Sequence, residues 1–269
     1  MKLRPSRIIG QLRAGKLPSI LKINLSDPRV IEIAGLSGVD AVWLCTEHVP
    51  NDWVGLENQI RAARIHNIDT LVRVGRGSYS DYIRPLESDA TGIIVPHVAS
   101  ADEARQIVAW TRFQPLGRRA LDGGNADGQY CHVPMDEYLE HSNRERIVVL
   151  QIESPEALAN VEEIAAVPGF DGLLFGPGDF SHLIGKAGQL DDPEVVTARE
   201  RVGAAATRHG KFAMTAGLIA PLPTLVKEGY RLIGIGADVV GVGNYIKERL
   251  KLIEQPKPVP TDPSTSPYA

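Results

Sequence analysis

Two acids, Glu153 and Asp179, each follow a short apolar run, and their carboxylates have the chemistry to meet at one hard cation. Carboxylate oxygens plus water suit an octahedral ion such as Mg²⁺ or Mn²⁺, and two protein ligands leave positions open for a chelating substrate. Taken alone, Glu153 is equally well read as a helix-capping acid beside Ser154, since acids favour a helix N-terminus. Its pairing with Asp179 is what favours the metal. Arg73 sits inside the apolar run Leu71-Val72-Arg73-Val74, where a guanidinium is expensive to bury unless an anion meets it. That anion is either a substrate or a structural ion-pair partner. Gly176-Pro177-Gly178-Asp179 exposes backbone N–H groups at the start of a helix and can grip a carboxylate or phosphate, although glycine turns after strands are common for steric reasons alone. His48, beside Glu47, is of the type that moves protons near neutral pH, and His97 and His182 compete for that task.

Something must bring these scattered residues together. Eight apolar runs recur along the chain, at 20–25, 41–45, 70–74, 92–95, 147–152, 172–175, 212–215 and 232–235. They are apolar throughout instead of alternating, as strands buried on both faces are. Helical patterns separate them, at 55–65, 101–110 (after Ser100, with Glu103 at capping-box spacing), 155–165 (opening on Pro155), 195–209 (stopping at Gly210) and 239–253. Eight buried strands alternating with helices predict an α/β fold closed as a (β/α)8 TIM barrel. Reactive groups in such a barrel stand at the C-terminal ends of the strands. Glu47-His48, Arg73, Pro96-His97, Gln151 to Glu153, Gly176 to Asp179 and Asp238 all fall at those ends.

The chain divides into an N-terminal segment over residues 1–17, a barrel over 18–254 and a tail over 255–269 whose five prolines and few large apolar residues predict disorder. Residues 115–132 carry Gly117, Gly123, Gly124 and Gly128 without periodicity and predict a long loop after the fourth strand. At 269 residues, 43% hydrophobic and 23% charged, the chain is an ordinary globular one with enough apolar surface for a large core. A net charge of −4 without a basic run argues against a nucleic-acid partner. No stretch approaches the roughly 20 apolar residues of a membrane helix, and the basic start has no apolar core of signal-peptide length. Cys45 and Cys131 stand far apart without a CxxC pair, so neither a disulfide framework nor a thiolate metal site is expected, and a cytoplasmic setting fits.

At these residues the sequence resembles the HpcH/HpaI family of class II, metal-dependent pyruvate aldolases, over roughly residues 18–253. The most specific stretch is Gln151-Ile152-Glu153, then a helix, then Gly169-Phe170-Asp171-Gly172-Leu173-Leu174-Phe175-Gly176-Pro177-Gly178-Asp179-Phe180-Ser181. Glu47-His48-Val49-Pro50-Asn51-Asp52, Val95-Pro96 with Ala101-Asp102-Glu103-Ala104, and Gly117-Arg118-Arg119 are similar to further family segments, in the family's order. The resemblance implies that Glu153 and Asp179 hold a divalent cation (Mg²⁺, Mn²⁺ or Co²⁺). It implies that Arg73 meets the keto oxygen of a pyruvate unit and stabilises its enolate, and that Gln151 hydrogen-bonds near metal or substrate. Gly176, Pro177, Gly178 and Asp179 would form the substrate turn, with the amides of Gly178 and Asp179 on the pyruvyl carboxylate. His48 would be the acid/base, Leu218 and the 115–132 loop would border the aldehyde, and the assembly would be a homo-oligomer, a hexamer built from dimers that exchange their last barrel helix.

The physics of carbon–carbon cleavage agrees with this. A retro-aldol step leaves a pyruvate enolate, whose charge a chelating metal and Arg73 can stabilise without a covalent intermediate. A Schiff-base route needs a lysine with a lowered pKa; Lys22 is the only lysine inside an expected strand, and that strand is expected to run three residues beyond it. Two departures from the family pattern stand out. Cys45 occupies the position of an aspartate that precedes the histidine by three residues and polarises its ring, and Gly178 stands where a small side chain is usual. The same enolate chemistry also serves an oxaloacetate-type decarboxylase or a citrate-lyase-like CoA-thioester lyase, although no basic cluster for CoA phosphates is present. A non-catalytic barrel that binds a metal–oxo-acid complex has Cys45 as its only argument.

Overall fold

A computed structural model describes residues 3–253. Strands β1 (Ser19–Lys22), β2 (Ala41–Cys45), β3 (Asp69–Arg73), β4 (Gly92–Val95), β5 (Ile147–Ile152), β6 (Gly172–Phe175), β7 (Phe212–Met214) and β8 (Tyr230–Ala237) pair in parallel, each with the next. β8 returns to β1 and closes the barrel. The strands are apolar on both faces because each face has its own core. Ile20, Ala41, Trp43, Leu71, Ile94, Ile147, Val149, Leu174, Met214 and Leu232 fill the interior. Val42, Leu44, Val72, Ile93, Val95, Val148, Leu150, Leu173 and Phe175 pack outward in a second cluster. The two-residue period of a strand sorts them.

The helices are α1 (Arg7–Arg13), α2 (Pro28–Leu36), α3 (Trp53–Ile65), α4 (Tyr79–Glu87), α5 (Ala101–Thr111), α6 (Met135–Glu145), α7 (Pro155–Ala159), α8 (Val161–Ala165), α9 (Pro177–Leu183), α10 (Pro193–Arg208), α11 (Leu222–Lys227) and α12 (Asp238–Ile253). Their starts follow from capping residues: Ser6, Asp27, Asp52, Ser100, Ser154 and Asp192 each accept a first-turn amide. Helix α1, inside the segment read as merely basic, closes the N-terminal end of the barrel. Ile8 joins the interior cluster, and Asp69 at the foot of β3 accepts from Ser6 Oγ (2.7 Å), the Ile8 amide (2.8 Å) and Arg4 Nη1 (2.8 Å). The opposite end stays open for chemistry.

Several expected boundaries shift. β1 ends at Lys22 and not at residue 25, because Asp238 at the β8–α12 junction takes the amides of Asn24 and Leu25 (2.9 Å each) and draws the chain off the sheet. Lys22 is therefore a strand end after all. β8 starts two residues earlier than expected and runs two further. The helix expected over 155–165 breaks at Asn160, whose side chain donates to the Ala99 carbonyl (2.8 Å). The 115–132 loop contains a 3-10 turn, Ala126–Cys131, and is pinned by a buried Arg119–Asp127 ion pair (2.8 Å) that also accepts the Tyr138 hydroxyl (2.7 Å). The tail over 255–269 lies outside the described residues. Among the described residues no helix is long and apolar enough to cross a membrane.

Candidate active site

The inward alternation decides which side chains reach the open end. Ile20 leads to Lys22, Trp43 to Cys45, Leu71 to Arg73 and Val149 to Gln151, and Glu153 lies just past the end of β5. A polar layer thus sits on top of the apolar interior. Glu153 is 1% exposed, Gln151 3% and Arg73 5%. Burial this deep demands partners for each group.

Glu153 Oε1 accepts the His97 amide at 2.7 Å, and His97 Nδ1 lies 3.1 Å from the same oxygen. His97 adopts a left-handed conformation (φ 56°), and that turn points its amide at Glu153. Gln151 Nε2 donates to Glu153 Oε2, which leaves Gln151 Oε1 buried without a hydrogen-bond partner. Burial pushes the Glu153 carboxyl up to about 8; the His97 amide opposes that push, while the facing Asp179 and Glu47 carboxylates add to it. Among the described residues no arginine or lysine pairs with Glu153. Asp179, half-buried, enters from the first turn of α9, whose N-cap is Gly176 and whose first helical residue is Pro177. A Cβ on Gly176 would come within 2.6 Å of Glu153 Cβ, 2.8 Å of its Oε2 and 2.9 Å of Gln151 Nε2, so only glycine lets the turn approach the carboxylates. The amides of Gly178 and Asp179 belong to the helical turn that has no intrahelical acceptor.

Arg73 faces Glu47, with Nε 2.9 Å from Oε2, although the pair is not aligned as a hydrogen bond. The guanidinium lies over the Trp43 indole, 5.1 Å from the ring centroid, and its Nη2 is 3.5 Å from Cys45 Sγ. Glu47 is a hub: Oε1 is 3.2 Å from His97 Nε2 and Oε2 is 3.5 Å from His48 Nε2. The loop carrying Glu47 and His48 is held by the Thr46 amide on the Arg73 carbonyl (2.8 Å) and by Asn51 Nδ2 on the Cys45 carbonyl (3.0 Å). The Cys45 thiol accepts the His48 amide (3.4 Å), and the His48 side chain is 58% exposed.

Glu153, Asp179, Gln151, Gly176, Arg73, Glu47 and His48 thus gather at one rim. Leu218 lies 61% exposed in the loop leaving β7, and His182 is exposed on α9. Sequence reasoning ranked His97 below His48, yet His97 is the histidine that bridges Glu47 and Glu153. It missed the Trp43 platform, and it passed over Lys22, whose Nζ lies 5.5 Å from the same ring centroid. The stacking of Arg73 on Trp43 was visible only once the register was known, which sets Trp43 beside Leu71, two residues before Arg73.

These residues fit a divalent cation. A buried carboxylate that faces a second carboxylate, with no cationic side chain between them, carries an electrostatic deficit that a dication removes. Among the described residues no three His, Cys, Asp or Glu side chains form a closed metal cage. Two carboxylates would leave positions open on a cation for a chelating substrate.

A profile of the HpcH/HpaI aldolase/citrate lyase family matches residues 19–244. The chain is 34% identical over 220 residues to the 5-keto-4-deoxy-D-glucarate aldolase of Klebsiella pneumoniae subsp. pneumoniae, covering 82% of this chain and 83% of that one. It is 32% identical over 243 residues to a hydroxypyruvate/pyruvate aldolase of Pseudomonas aeruginosa, covering 90% and 88%. The crystal structure of an HpcH/HpaI aldolase from Desulfitobacterium hafniense DCB-2 superposes with a TM-score of 0.87 at 28% identity, over 94% of this chain and 98% of that one. With the closed barrel and the rim of carboxylates beside a buried arginine, the conclusion is that this chain belongs to the HpcH/HpaI aldolase/citrate lyase family and is a carbon–carbon lyase.

Proposed function

We propose that the enzyme is a divalent-cation-dependent aldolase that reversibly cleaves a 4-hydroxy-2-oxo acid into pyruvate, or a close 2-oxo acid, and an aldehyde. The observation that carries this reading is the buried Glu153 carboxylate facing Asp179, with no arginine or lysine partner among the described residues and with Arg73 held on the nearby Glu47. The names of the two aldolase relatives support it. A divalent cation held by Glu153 and Asp179 supplies Lewis-acid charge for the 2-oxo acid and for the enolate that cleavage leaves.

The protein's own groups do the rest. The first-turn amides of Gly178 and Asp179 take the 2-oxo carboxylate, and Gln151 fixes the orientation of Glu153. Arg73, preformed on the Trp43 face, donates to the keto oxygen as charge develops there. In the cleavage direction the 4-hydroxyl loses its proton, the C3–C4 bond breaks, its electron pair passes to C3 and the aldehyde leaves. C3 then takes a proton to give the 2-oxo acid. His48 Nε2 is the proton carrier in this scheme: it is exposed enough to exchange with solvent, and Glu47 Oε2 lies 3.5 Å from it. The enzyme acts as a homo-oligomer. Helix α12 buries Asp238 alone among its 16 residues, while Val240, Tyr245, Ile246, Leu252 and Ile253 stay exposed, an apolar surface that calls for a second copy.

The test is chelation. Excess EDTA should abolish condensation of pyruvate with an aldehyde panel, and Mg²⁺, Mn²⁺ or Co²⁺ should restore it. Full turnover in EDTA, or borohydride trapping of pyruvate on a lysine, refutes the reading. Oxaloacetate decarboxylation run beside it, faster than any aldol cleavage, would replace the aldolase reading with a decarboxylase one.

A further inference from the structure

Lys22 is a cation inside the barrel mouth that the chemistry above does not use. The inward ladder that buries Ile20 sends Lys22 to the top layer, beside Trp43 on β2 and Ala237 on β8. Its ammonium lies over the Trp43 indole at 5.5 Å, and Arg73 lies over the same ring at 5.1 Å. Two cations therefore share one aromatic platform, but only one has a partner. Arg73 meets Glu47 at 2.9 Å. Lys22 forms no ion pair and no hydrogen bond among the described residues. Asp238, at the end of the neighbouring strand, is occupied by the amides of Asn24, Leu25 and Val239. Burial and the adjacent Arg73 push the Lys22 pKa down, while Cys45, Glu47 and Asp238 act on it only at a distance. A half-buried ammonium without a counter-ion costs desolvation energy that an incoming anion recovers.

We propose that Lys22 is a specificity residue of this chain, whose ammonium selects for a carboxylate carried by the aldehyde half of the substrate over a neutral group at the same place. The position on β1 supports the aldehyde half. The 2-oxo acid end is anchored at β5 and the β6–α9 turn, and going round the barrel from β6 passes β7 and β8 before reaching β1. An anion at Lys22 thus lies across the mouth from that anchor, beyond the bond that breaks. Three N–H donors on a flexible stem suit a terminal carboxylate. This inference rests on the aldolase reading for which half of the substrate is which, but its test does not.

Isothermal titration of the full-length protein with Mg²⁺ present, using 2-oxoglutarate against 2-oxopentanoate, compares a second carboxylate with a methyl group on one carbon skeleton. Wild type should bind the dianion more tightly by about tenfold to a hundredfold, the range for a hydrogen bond to a charged group. Lys22→Met should remove that preference, and Lys22→Arg should keep most of it; Lys22→Gln replaces the Met variant if that one fails to fold. A wild type without the preference, a wild type that binds neither acid, or a Met or Gln variant that retains the preference overturns the proposal. Exchange of the pyruvate methyl protons in D₂O, followed by NMR, separates the two readings. A preference that depends on Lys22 without exchange sinks the aldolase reading and leaves Lys22 standing. Exchange without the preference does the reverse.

Discussion

Kept free of divalent cations, the fold should have a stability that depends on pH through Glu153. Its carboxyl is raised from an ordinary 4.5 to about 8, first by burial and then by the facing Asp179 and Glu47 carboxylates. The metal-free folded state therefore holds a proton that the unfolded state releases. A carboxyl whose folded pKa exceeds its unfolded value stabilises the fold fully below the unfolded pKa, here about 4.5, and that contribution is lost as pH rises through about 8. One proton gives a slope of about 1.4 kcal/mol per pH unit that halves as pH reaches the folded pKa, hence about 2 kcal/mol between pH 6 and 8. For a chain of this size that is a fall in Tm of about 4–8 °C. The assay is a melting series in EDTA from pH 5 to 9 for wild type and Glu153→Gln, since the amide cannot titrate and the difference between the two cancels every other ionisation. Their Tm gap should change by that amount over the window. The same proton must leave when the cation binds, so apparent affinity for Mg²⁺ or Mn²⁺ should rise about tenfold per pH unit below 8, with proton release visible by titration in buffers of different ionisation enthalpy. A Tm gap that stays constant from pH 6 to 8, or cation binding indifferent to pH, refutes the argument that burial and like charge govern this pair.

Gly176→Ala places a methyl within 2.6 Å of Glu153 Cβ and 2.9 Å of Gln151 Nε2, so Tm should fall by several degrees and cation affinity by at least about tenfold; thermal melts with cation titration check both. Arg73→Lys keeps the charge but loses the planar fork over Trp43, so kcat for cleavage and for pyruvate proton exchange should drop about a hundredfold while KM moves little, which steady-state kinetics would show. Cys45→Asp puts a carboxylate beside Arg73 Nη2 and the His48 amide, and should move the acidic limb of the pH–rate profile upward if His48 acts as a neutral base. An unchanged limb, with activity surviving His48→Ala but not His97→Ala, transfers the proton step to His97.

The parts of this molecule that were legible in the sequence are those fixed by burial along a single strand. Runs such as Val148–Leu150 are apolar on both faces because one face meets the interior and the other the helices, and a closed parallel sheet is the fold that asks this of eight strands. Arg73 announced itself for the same reason, as a charge at a position its neighbours mark as buried, and Glu153 and Asp179 did so as acids that follow such runs. What stayed hidden was set by contacts between distant segments. Lys22 looked like a mid-strand residue because nothing local stops the strand; Asp238, more than 200 residues away, does so by taking the amides of Asn24 and Leu25. The contacts of His97 turned on a single left-handed residue after β4, where the chain turns and delivers the amide and ring of His97 to Glu153, while His48 stands at the solvent edge. Helix α1 read only as a basic N-terminal segment because its buried side is a single residue, Ile8, and its anchor, Asp69, lies on β3. Residue type and spacing placed these side chains at the strand ends where the structure gathers them, but the partner of each side chain depended on backbone paths that only the assembled barrel defines.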